Sequence, residues 1–222
     1  MAWAAYALHM DSTPPSLTQR RKAATQLEIA RAAARLFADR GADAVTAEEI
    51  AQQAGIAVRT FYRYFRTKED AVAPLLTVGA GHWRTLLAAA SPQEDLIDAL
   101  ERTIVEVLTP RSDDDLEMLR WTLGLLHAAA DDAALRLVWY RVNGESEVQL
   151  REVIATLAGP GADPYALRLI AAAATDAMCI AIEECATVED PLLDPGAPAA
   201  LARRALRDLT RGVQLHPPAA GG

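Results

Sequence analysis

With 222 residues, 51% of them apolar, and a mean hydropathy of +0.05, the chain can bury a sizeable core, which excludes a disordered polypeptide. A formal charge of −8 argues at first against a nucleic-acid partner, but the charge is unevenly placed. Residues 16–78 hold ten Lys/Arg against seven Asp/Glu (+3), and residues from Gly79 onward hold twelve against 22 (−10), so only the N-terminal end is suited to meet phosphate.

Ala, Leu, Glu and Arg dominate from Ala23 onward and no run alternates as a strand would, so the chain is expected to be all-α, with about nine helices. Residues 1–15 read as a disordered leader, with Met10 an alternative start and no basic run of the kind that opens a signal peptide. Pro14-Pro15 ends that leader. A first helix is predicted from about Ser16 or Leu17 to Arg40, with Leu27, Ala30, Ala34 and Phe37 on one face and Gly41 as its stop. Thr46-Ala-Glu-Glu49 has the form of a capping box and starts a second helix whose stripe is Ala47, Ile50, Ala51 and Ala54. Gly55 makes a turn, a third short helix runs from about Ala57 to Phe65, and a fourth begins near Thr67 and runs to Ala90.

Ser91-Pro92-Gln93-Glu94 reads as a capping box with proline at the first helical position, so a fifth helix is expected to start there and end before Pro110. Ser112 and Asp115 cap a sixth, to about Ala129. A seventh runs from Asp131 to about Leu157, with Asn143-Gly144 a possible kink. An eighth runs from Asp163-Pro164 to about Cys185, and a ninth from Ala199 to Val213, before a disordered tail over 215–222. The most apolar stretch, Leu167 to Ile182, is interrupted by Arg168 and Asp176 and is too short to span a membrane. Cys179 and Cys185 lie six residues, about 600° of helical rotation, apart, which places them on different faces. They read as small buried residues of a protein in a reducing, cytoplasmic compartment, with a redox-sensing thiol as the alternative.

Two short helices joined at Gly55 form a helix-turn-helix over Thr46 to Phe65. Phe61 and Phe65, spaced i, i+4, can pack on Ile50, Ala54 and the first helix, which leaves Val58, Arg59, Thr60, Tyr62, Arg63 and Tyr64 around the remaining surface. Arg59 can donate two hydrogen bonds to a guanine edge and Val58 can touch a thymine methyl. Thr60, Tyr62 and Lys68 suit phosphate oxygens. The basic run Arg20-Arg21-Lys22 is read as an arm preceding the first helix, able to follow the backbone or enter a minor groove. The bland alternative is a helical hairpin with a solvated Arg/Tyr face.

Residues Ala23 to Leu76 resemble the DNA-binding domain of the TetR family of bacterial regulators. The pattern appears as Ala33-Ala-Arg-Leu-Phe37, Arg40-Gly41, Val45-Thr46, Glu49-Ile50-Ala51, Ala54-Gly55-Ile56, Thr60-Phe-Tyr-Arg-Tyr-Phe65 and Thr67-Lys68-Glu69, over about a quarter of the chain. By this resemblance Thr46, Thr60, Tyr62 and Lys68 correspond to backbone-contacting positions, and Val58, Arg59 and Thr60 to the base-facing start of the recognition helix. Tyr64 stands where the family often has His, and can contact a phosphate or pack under the helix. The resemblance implies a helix-turn-helix domain over 16–66 and a ligand-binding and dimerisation domain over 67–214, with the last two long helices forming a four-helix bundle in a homodimer. Ala171 to Ala174, Ala177, Ile180, Ala181, Leu201, Ala205, Leu206 and Leu209 permit that packing, or else an intramolecular core.

A pocket in the body is expected among His82, Trp83, Trp121, Leu125, Trp139, Tyr140 and Met178, with Arg120 and His127 orienting an apolar or aromatic effector. The functional expectation is a repressor that binds a roughly palindromic operator and is released by that effector. An enzyme is not expected, because the four histidines are scattered and no metal, nucleophile or phosphate-loop motif appears. No cofactor is expected either.

Overall fold

The computed structural model describes residues 16–215 except 92, 189 and 191. Among them the chain is all-α: nine α-helices and no strand. In order these are α1 (Leu17–Arg40), α2 (Ala47–Gln53), α3 (Val58–Tyr64), a 3₁₀ turn (Glu69–Val72), α4 (Ala73–Ala88), α5 (Leu96–Leu108), α6 (Asp113–Asp131), α7 (Ala133–Ala158), α8 (Pro164–Ala186) and α9 (Ala197–Thr210). The helix-turn-helix lies toward the N-terminal end and is followed by α4 to α9. The leader, Pro14-Pro15, Pro92 and most of the tail lie outside the described residues.

α1 starts where the sequence places it, but the basic arm and the start of α5 differ from expectation. Ser16 caps α1 with a full capping box, its hydroxyl accepting from the Gln19 amide while Gln19 returns a bond to the Ser16 amide. Arg20, Arg21 and Lys22 therefore lie inside α1 and not in an arm ahead of it. Ser91 does not start α5. Its hydroxyl accepts from the Gln93 amide, one residue short of a capping box, and Asp95 caps the helix instead through the amides of Ile97 and Asp98. α7 continues through Asn143-Gly144 without interruption.

The chain divides into two compact units. One comprises the described residues through Gly81 together with Asp114–Val142. Its core includes Ile29, Phe37, Ile50, Phe61, Leu123, Leu125 and Leu135, all fully buried. α1 packs on α2 and on the 3₁₀ turn, and α2 on α3. The Leu27, Ala30, Ala34 and Phe37 face is buried as expected, and widens to Ile29, Ala32 and Ala33.

The second unit comprises His82–Asp113 and the residues from Asn143 onward. α9 packs on both α5 and α8. Trp83 is buried, and its indole N–H donates to the Thr103 hydroxyl at 3.1 Å. Glu101, 8% exposed, accepts a two-pronged bond from Arg207 of α9 at 2.5 and 2.6 Å. α8 is 23 residues long and, by length and composition alone, apolar enough to cross a membrane. That corrects the shorter stretch read from sequence, because Asp163 caps the helix through the Tyr165 amide and Pro164 begins it. One face of this helix packs on α9.

Candidate nucleic-acid interface

Thr46 enters α2 in an extended conformation and accepts from the Glu49 amide at 3.2 Å, while the Glu49 carboxylate accepts from the Thr46 amide at 2.8 Å. Arg40, the last residue of α1, holds the other Glu49 oxygen at 2.8 Å and the Ala44 carbonyl at 2.5 Å. The Thr46 amide first, and then Arg40, keep the Glu49 carboxyl below its ordinary pKa. The start of α2 is thus tied to the end of α1. The turn that follows needs Gly55, which sits at φ +68°, a region unfavourable to side-chain-bearing residues. Ile56 then closes back on the Ala51 carbonyl at 2.9 Å, and Ala57 begins α3 by accepting from Thr60 and Phe61.

Phe61 fixes the inner face of α3. It is fully buried, with its ring 5.5 Å from that of the buried Phe65. Because one face is pinned, the opposite face is presented outward: Arg59, Tyr62 and Arg63 are exposed, and Val58, Thr60 and Tyr64 are half-buried. The Arg63 guanidinium lies over the Tyr64 ring at 5.1 Å, so Tyr64 packs beneath a cation. Arg20, Arg21 and Lys22 are exposed on the first turns of α1. Among the described residues none of Arg20, Arg21, Lys22, Arg59 and Arg63 carries an ion pair, whereas Arg31, Arg40 and Lys68 of the same segment do. Arg66, which the sequence reading did not single out, is also exposed and without an ion pair; its place immediately after Phe65 was the only available signal.

Two expected phosphate ligands are already engaged. The Lys68 ammonium donates to the carbonyls of Ala42 and Val45 at 2.7 and 2.9 Å, bracing the α1–α2 loop. The Thr46 hydroxyl is exposed but serves the cap in both directions, accepting from the Glu49 amide and donating to the carboxylate at 3.2 Å.

The residues expected around an effector fall in both units. In the first, Trp139 is buried, Trp121 is half-buried, and Arg120, His127 and Tyr140 are exposed. In the second, Trp83 is buried with its N–H committed to Thr103, and Met178 is half-buried. Cys185 is buried and Cys179 half-buried, as free thiols. Burial, followed by Glu183 and Asp176, pushes the Cys179 thiol up to about 12, and burial with Asp194 and Glu184 raises that of Cys185. Among the described residues no cluster of three or more His, Cys, Asp or Glu is placed to hold a metal.

Residues 29–73, from α1 into the start of α4, match the family described as bacterial regulatory proteins, tetR family. The HTH-type transcriptional regulator TcmR of Streptomyces glaucescens is 28% identical over 157 residues, covering 68% of this chain and 69% of that protein. Two solved structures share the fold. FadR of Thermus thermophilus, a TetR-family transcriptional repressor solved with lauroyl-CoA, aligns with a TM-score of 0.54 and 22% identity over 89% of this chain and all of that one. A TetR transcriptional regulator from Rhodococcus sp. RHA1 aligns with a TM-score of 0.50 and 19% identity over 88% and 99%. The matched segment is the one whose outward face carries the arginines of α3, and residues 29–73 form a DNA-binding helix-turn-helix segment of the tetR family of bacterial regulatory proteins.

Proposed function

We propose that the chain is a homodimeric repressor that binds a roughly palindromic operator through α3 and is released by a small apolar or aromatic effector. The observation that carries the reading is the outward face of α3. Phe61 pins the helix from behind, while Arg59 and Arg63 stand exposed without ion pairs beside Tyr62. Arg59 reads a guanine edge and Val58 a thymine methyl, and Thr60, Tyr62, Arg63 and the Arg20-Arg21-Lys22 turn of α1 hold phosphates. Thr46 and Lys68 contribute by fixing the α1–α2 loop.

The dimer rests on α8 and α9. Only 44% of the most apolar window of α8 is buried within the chain. Tyr165, Leu169 and Ile180 of α8 and Leu209 of α9 are exposed, and the spacing of the three α8 residues puts them on one stripe. A second copy covers them, as in a four-helix bundle. A dimer also presents two recognition helices one DNA turn apart. The effector is taken to bind in the body, where the candidate residues Trp121, Trp139, Tyr140, Arg120 and His127 lie in the first unit and Trp83 and Met178 in the second. A Thermus relative binds lauroyl-CoA, and an effector of similarly apolar character is proposed here. The site of action is the cytoplasm, and no catalytic role is assigned. The redox alternative draws no support from Cys179 or Cys185, since both thiols are pushed away from the reactive thiolate.

Selection of bound DNA from a random pool, with and without cell extract, tests the reading. The expected product is an inverted repeat with half-site centres about 10 base pairs, or a multiple, apart, eluted by extract that contains the effector. Enrichment of no sequence over the input would overturn the reading.

A further inference from the structure

α6 passes so close to α1 that a side chain does not fit between them. A Cβ placed on Gly124 of α6 would lie 2.5 Å from the Cβ of Ala38 in α1 and 3.2 Å from its Cα, well inside van der Waals contact. A second fastening lies farther along the same compact unit, where Arg141 of α7 donates to Asp70 at 2.9 Å. Asp70 belongs to the 3₁₀ turn that packs on α1 directly after the helix-turn-helix. Its own amide donates to the Thr67 hydroxyl at 3.1 Å, which fixes the backbone of the turn that carries the carboxylate. Two unlike contacts, one steric and one ionic, thus join α6 and α7 to the helices that carry α3. The compact unit containing the helix-turn-helix accordingly includes residues 114–142.

We propose that Gly124, Asp70 and Arg141 are positioning residues for operator binding. They seat the α6–α7 segment on the DNA-binding helices, so that the direction in which α3 points is set by α6 and α7 as well as by its own three-helix domain. The residues touch no DNA. They act through the angle at which each protomer offers α3, and therefore through the half-site spacing that a dimer accepts. The proposal rests on the operator-binding dimer proposed above.

The test uses the full-length protein and the operator it selects, with a series of operators whose half-sites are moved apart or together one base pair at a time. D70R, R141D and the D70R/R141D pair are compared, alongside G124A and G124A/A38G. A direct charge effect on DNA would move the two single charge variants in opposite directions, because one adds positive charge and the other removes it. Positioning moves them the same way. Each single variant, and G124A, is expected to lose about tenfold in affinity for the selected spacing and to discriminate less between spacings. D70R/R141D and G124A/A38G are expected to recover most of the discrimination, with the helical circular dichroism signal and dimer mass unchanged throughout. Unaltered spacing preference in the single variants, opposite shifts of D70R and R141D, or no recovery in the paired variants would overturn the proposal. A wild-type protein that selects no DNA at all would instead overturn the operator reading, and the two failures are distinguishable.

Discussion

Glu49 closes the capping box on Thr46 and takes the guanidinium that ends α1. Its carboxyl titrates below the usual value, so the stabilisation is fully present above the unfolded pKa near 4.5 and is lost as pH falls through the lower folded value. Thermal melts between pH 3 and 6 are expected to show a steeper loss for the wild type than for E49Q, whose amide still caps but does not titrate. Thr46→Ala removes the other half of the cap and is expected to cost about 1 kcal/mol in denaturant unfolding. At Cys179 the direction is opposite. A thiol pKa near 12 leaves roughly one thiolate in 10⁴ at pH 8. Iodoacetamide is expected to label Cys179 far more slowly in the folded protein than in urea, and fast native labelling would revive the thiol-based alternative.

Among elements, the loop between α1 and α2 has no regular structure of its own, and Lys68 takes two of its carbonyls. Lys68→Met leaves those carbonyls without their donor and is expected to cost about 1–2 kcal/mol of stability. If Lys68 acted on phosphate alone, stability would stay unchanged and only DNA affinity would fall. Most helix ends were legible because they are chemically marked: Ser16, Thr46 and Asp163 cap, Gly41 and Gly55 turn. The start of α5 was misread because Ser91 and Asp95 compete for it, and only Asp95 reaches the amides two and three residues on. The bracing role of Lys68 was not legible, since its carbonyl partners lie 23 and 26 residues away and carry no side-chain signature.

For the whole molecule, the positive N-terminal segment and the acidic remainder already located the DNA-facing end, and the α3 face agrees with that division. The grouping of residues 114–142 with the helix-turn-helix was not legible. Gly124 meeting Ala38 and Arg141 meeting Asp70 are two contacts within that unit, far apart in the chain, for which a lone glycine inside a helical pattern was the one available trace. The exposed apolar stripe of α8 makes a prediction at this scale. L169E/I180E is expected to sediment as a monomer and to lose at least a hundredfold in operator affinity, since two linked half-sites bind far more tightly than one. A stable dimer in that variant would move the interface elsewhere.

The central claim, that α3 reads DNA bases through Arg59, is tested most directly by repeating the random-pool selection with Arg59→Ala and comparing preferences with those of the wild type. The account predicts that one symmetric position in each half-site, a guanine for the wild type, loses its preference, at a cost of about 1–3 kcal/mol on the wild-type operator. Other positions and the half-site spacing stay as they were. An unchanged preference at every position, or a uniform loss of affinity across all sequences, would contradict it.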